Sequence, residues 1–94
     1  MSLPPVTLTF VQTSLHHWQG KLVHAAQCVD ERTGHPAQEP RFNVTEHPVT
    51  GRCRVMIQGA TLQGRRYVSY PNLDAAQRGG LRWARRRFRR VEDV

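Results

Sequence analysis

The sequence predicts an α+β domain: a three- to four-stranded antiparallel meander carrying a C-terminal amphipathic, arginine-rich helix, with an N-terminal helix packed on one face. Three observations carry this. Between residues 41 and 70, three short segments alternate apolar and polar residues with period two. Between 72 and 91 the apolar residues recur at helical spacing, and between 14 and 32 they recur at intervals of three and four. The 94 residues suit one small basic domain spanning 1–94, with a core of modest size.

At the N-terminus, Val6, Leu8 and Phe10 alternate with Thr7 and Thr9 after Pro4-Pro5, so residues 1–12 read as an arm ending in a strand. For 14–32, Leu15, Trp18, Leu22, Ala25 or Ala26, and Val29 give a helical stripe, with Ser14 as N-cap and Gly34 as stop. Gly20 opposes that reading, and a strand from Lys21 to Val29 after a Gln19-Gly20 turn is the alternative. Residues 34–40, with two prolines, form a connector.

In the meander, Phe42 and Val44 alternate with Arg41, Asn43 and Thr45. Cys53, Val55 and Ile57 alternate with Arg52, Arg54 and Met56, and Val68 and Tyr70 alternate with Tyr67 and Ser69. The separators 47–51 and 59–64 have hairpin length. Pro71 ends the third strand, Asn72 caps the helix and Asp74 complements its dipole. Within that helix Leu73, Ala76, Gly80, Leu81, Ala84, Phe88 and Val91 form the apolar stripe, and Arg78, Arg82, Arg85, Arg86 and Arg89 lie opposite. Gly79-Gly80 either splits the helix or lets it sit close on the sheet.

Charge narrows the function classes. The net charge is +7, of which residues 78–94 contribute +5 through seven arginines against Glu92 and Asp93. Thirteen of fourteen basic residues are arginine, whose planar fork grips phosphate and carboxylate bidentately. A second basic surface is expected where Arg41, Asn43, Thr45, Arg52 and Arg54 project from the sheet, joined by Arg65 or Arg66 according to register. Trp83, at the margin of the helix stripe, is placed either to stack on a base or to pack at the edge of the core.

The order of three strands and a helix, with Gly64-Arg65-Arg66-Tyr67 leading into the last strand and Asn72-Leu73-Asp74-Ala75-Ala76 opening the helix, resembles small sheet-based DNA readers. These are the ethylene-response-factor domain of plants and the arm-site-binding domain of tyrosine recombinases. With a helix at 14–32 the order resembles the double-stranded-RNA-binding domain. That family has a lysine-rich motif at the start of its last helix, where this chain has Asp74 and Ala75, and no family residue is carried over as a site.

No catalytic or cofactor motif is evident. The histidines at 16, 17, 24, 35 and 47 lack zinc-finger or His-Glu-x-x-His spacing, so no metal or cofactor is expected. Cys28 and Cys53 read as buried thiols. No apolar run has the length of a membrane span and the N-terminus lacks signal-peptide character, so the cytosol is the expected location. The expectation is a non-enzymatic nucleic-acid-binding protein, monomer or homodimer, with Arg82, Arg85, Arg86 and Arg89 on the backbone and Arg52 and Arg54 near bases. The alternative is a compact inhibitor or adaptor, of the kind phages use against host defence, that meets an acidic protein surface or blocks a nucleic-acid channel.

Overall fold

The computed structural model describes residues 5–58 and 66–91; of Arg66 and Tyr67 it describes the backbone. The chain forms strands β1 (Leu8–Ser14) and β2 (His17–Leu22), a 3-10 turn (Ala25–Gln27), then β3 (Cys28–Asp30), β4 (Arg41–Glu46), β5 (Cys53–Gln58) and β6 (Arg66–Tyr70). Helix α1 (Leu73–Arg87) and the short strand β7 (Phe88–Arg90) follow. Five strands form one antiparallel sheet in the order β1-β2-β4-β5-β6, and β3 pairs with β7 in a separate two-stranded ladder.

The meander of 41–70 is present as β4-β5-β6, but the sheet has five strands, because residues 14–32 are not helical. Trp18, Gly20 and Leu22 alternate toward the helix side, with Trp18 opposite Val44 and Gly20 opposite Phe42. The three- and four-residue intervals that suggest a helix overlap this period of two at Trp18 and Leu22. Gly20 decides between them. A Cβ there would come within 2.6 Å of the Phe10 ring, which lies over the glycine from the neighbouring strand. In a helix interior the same glycine costs about 1 kcal/mol relative to alanine; in the sheet its bare backbone receives an aromatic ring. His24, with φ 55°, then turns the chain out of β2. The helix-strands-helix order of the RNA-binding resemblance therefore fails.

The core is a layer of Phe42, Val44, Cys53, Val55 and Ile57 from the sheet and Ala76 and Ala84 from the helix, closed by Val6, Leu22, Cys28, Ala37 and Phe88. The helix buries Ala76, Gly79, Gly80 and Ala84, and small residues on that face bring its axis close to the sheet. Gly79-Gly80 does not break α1. A Cβ on Gly79 would overlap the Tyr70 ring, at 2.2 Å, and one on Gly80 would stand 3.6 to 3.8 Å from Phe10, Phe42 and Leu8. Contact with Tyr70 explains Gly79, whereas at Gly80 a Cβ would make only ordinary van der Waals contacts.

Asn72 caps α1 as its sequence suggests, its side chain accepting from the Ala75 N–H at 2.8 Å. The helix ends at Arg87 rather than 91. Phe88 turns extended and is buried, and Phe88, Arg89 and Arg90 pair with Asp30, Val29 and Cys28. The pairing satisfies backbone groups that a further helical turn would have carried into solvent. Among the described residues no helix is long and apolar enough to cross a membrane. Both cysteines are free and buried, and burial raises each thiol's pKa; Glu46 adds to the rise at Cys53 and Arg90 opposes it at Cys28.

Candidate polyanion interface

The helix occupies one face of the sheet, fixed there by Trp83, whose ring meets Phe42 edge-on at 5.8 Å and Phe88 at 6.0 Å. The opposite face is open: among the described residues no helix or strand packs on it. Pairing registers place its residues in three rows. Thr9, Lys21, Arg41 and Gln58 form the first; Val11, Gln19, Asn43, Met56 and the Tyr67 position form the second; His17, Thr45, Arg54 and Ser69 form the third. None of these strand positions is acidic. Four residues of strand separate the first row from the third, so Lys21 and Arg41 stand about 14 Å from the Arg54 row at 3.4 Å per residue.

The hairpin between β4 and β5 builds up the third-row end. Gly51 takes the left-handed conformation (φ 73°), and its N–H donates to the His47 carbonyl at 2.9 Å. His47 Nδ1 accepts from the N–H groups of Val49 and Thr50 at 3.2 and 3.3 Å, which holds the turn and leaves its Nε2 as the donor in the neutral ring. This loop and the sheet face enclose an open groove of about 600 Å³. Arg52, Arg54, Asn43, Thr45, Thr50 and Ser69 supply charge, amide and hydroxyl groups to its lining. Glu46 borders it, with its carboxylate 2.9 Å from His16 Nδ1.

At the first-row end, Gln38 and Glu39 are both left-handed, with φ 55° and 53°, a conformation costing about 1–2 kcal/mol per non-glycine residue. They deliver Pro40 into the core and Arg41 to the start of β4. Glu39 lies beside Lys21 and Arg41 in the lining of a hollow of about 110 Å³.

No family model, curated protein or solved structure matches this chain. The site therefore rests on its own geometry.

The expected arginines fall into separate groups. Arg41, Arg52 and Arg54 share the open face. Those of the helix lie across the sheet from it, and most have partners within the chain. Arg78 Nε is 2.9 Å from Asp74, and Arg85 Nε donates to the Val6 carbonyl at 2.8 Å. Arg89 lies in β7 rather than the helix and pairs with Glu31 at 2.9 Å. Arg87 pairs with the fully buried Asp30 at 2.7 Å and covers the Trp83 ring, while Arg90 donates to the Gln27 side chain. Arg82 and Arg86 are exposed and, among the described residues, have no partner. Trp83 is wedged between Phe42 and Phe88, so it packs at the core margin. Arg65 and the 59–64 separator lie outside the described residues, and Arg66 is placed only by its backbone, opposite Ile57.

Lys21, Gln19 and Gln58 are among the face residues that sequence reasoning left out. The first two sat inside the expected helix. Their signal was alternation with Trp18, Gly20 and Leu22, which the helical intervals obscured.

Proposed function

We propose that this protein binds nucleic acid on the open sheet face, seated across a groove of a duplex. The carrying observation is the row arrangement: cations at two levels about 14 Å apart, with the amides of Gln19 and Asn43 between them and no acidic residue at any strand position of the face. The major groove of B-form DNA is about 12 Å wide. Lys21 and Arg41 on one side, with Arg52 and Arg54 on the other, match the two phosphate ridges, and the amides reach base edges from the middle row. Hydroxyls of Thr45, Thr50 and Ser69 add uncharged donors to phosphate oxygens at the groove. In this reading the helix is the scaffold that stiffens the sheet from behind, and Arg82 and Arg86 contribute only long-range field.

Fluorescence anisotropy with labelled duplex DNA, duplex RNA and single strands, over a salt series, tests it. Binding to duplex DNA should weaken with salt at a slope of about 0.9 in log affinity per phosphate contact. A preference for single strands would remove the groove geometry. No binding to any of the three at low salt would sink the nucleic-acid reading and leave an acidic protein surface as the partner of this face.

A further inference from the structure

The two edges of the five-stranded sheet are built differently. β6 opens with Arg66, follows Arg65 and is closed by Pro71, and charge and proline are what keep an edge from pairing with other chains. β1, on the other edge, reads Leu-Thr-Phe-Val-Gln-Thr-Ser, with no charge and no proline. A register shift interrupts its pairing with β2 only after Gln12, leaving Leu8–Gln12 as a regular ladder whose outer side has no strand partner among the described residues. Two of the molecule's exposed large apolar side chains belong to this margin: Val11 at 59% and Leu15, in the turn after the strand, at 76%. Leu8 and Phe10, directed to the helix side, are only half-buried and extend the core to the same edge.

We propose that β1 is a self-association edge, on which a second copy of this chain pairs antiparallel to give a continuous ten-stranded sheet. The occupant follows from the strand. An isologous two-fold contact needs a surface complementary to itself, and an uncharged antiparallel strand with β-branched residues on one face and Leu8 and Phe10 on the other meets that condition. A charged edge like β6 would repel its own copy. Antiparallel pairing of identical strands places the two-fold axis perpendicular to the sheet. Both helices then lie on one side and both open faces on the other, with face centres about 24 Å apart for five strands at 4.8 Å. Leu8 and Phe10 of one copy meet those of the other, covering apolar surface that each chain leaves partly in water. This inference stands whether or not the face binds nucleic acid.

Salt separates the two. Each chain carries +7, so dimerisation works against like-charge repulsion and should tighten as salt is added, whereas phosphate binding loosens. Sedimentation equilibrium of the full chain, free of nucleic acid, should give a concentration-dependent mass rising toward twice 10.8 kDa, more readily at higher salt. Val11→Lys, at an exposed position, should weaken association at least about tenfold, by analogy with the lysines that guard natural edges. Val49→Lys, on the exposed tip of the β4-β5 loop, should leave it unchanged. A mass of one chain at every concentration and salt would overturn the proposal, as would Val11→Lys associating like the parent. Anisotropy on the parent chain, at concentrations below and above those at which it associates, reads the sheet face separately, since Val11 itself lies in the middle row of that face: binding at both concentrations beside a dimer supports both readings, and a dimer without anion binding rejects only the first.

Discussion

The helix and the open sheet face are both rich in arginine, yet the fold sets different surroundings beside the two. Around the helix and its extension, Arg78, Arg85, Arg87, Arg89 and Arg90 each have a partner within the chain. On the sheet face, Arg41 and Arg54 stand in rows without a single acidic strand position. The helix side thus uses many of its arginines to hold the fold, while on the sheet face Arg41, Arg52 and Arg54 are exposed, with Glu39 and Glu46 at its borders. Density of like charge along a sequence does not by itself say which of those charges the fold pairs internally.

The most severe test of this contrast replaces Lys21, Arg41, Arg52 and Arg54 together with alanine. Duplex binding should fall by two orders of magnitude or more near physiological salt, and the salt slope should drop by about 4 if each cation meets one phosphate. Arg82→Ala with Arg86→Ala should alter affinity far less, and equal losses from the two sets would erase the distinction. Next in size is Arg87→Ala. It strands Asp30, fully buried, without its ion-pair partner, and breaking a buried pair from one side costs about 3–5 kcal/mol. Urea denaturation should register that loss, with duplex binding retained wherever the variant stays folded.

Much of this arrangement was open to sequence reasoning, and the failures share one cause. Strands β4, β5 and β6 and the helix start at Asn72 announced themselves through clean alternation and a cap. Trp18 and Leu22, four apart, fit a strand as well as a helix. Only Phe10, from another strand, shows why Gly20 is needed where it sits. Similarly, Arg85 and Arg89 have helical spacing on an apparently solvated side, and nothing local reveals that Val6, 79 positions away, or Glu31 receives them. Long-range partners chose between locally equal options.

Smaller effects sharpen the same contrast. Arg89→Ala removes an exposed pair with Glu31 and should cost no more than about 1 kcal/mol in urea denaturation, well below the loss from Arg87→Ala two residues earlier. The buried thiols give the least effect. Because Cys28 and Cys53 have pKa values raised by burial from an ordinary 9.0, the unfolded chain loses those protons first as pH rises. Their contribution is complete well below pH 9.0 and declines as pH climbs past it toward the folded values. Cys28→Ala with Cys53→Ala should flatten that alkaline slope in denaturation measured at successive pH values.

The short ladder between β3 and β7 has a bearing on how the chain is made. Cys28 pairs with Arg90, Asp30 with Phe88, and Arg87 closes on Asp30 from 57 positions away. During vectorial synthesis the five strands of the large sheet emerge before Arg87 and β7, so this ladder can close only after they have had time to pair. Closing the ladder and bringing Arg87 onto Asp30 therefore joins segments 57 positions apart in one late, long-range step.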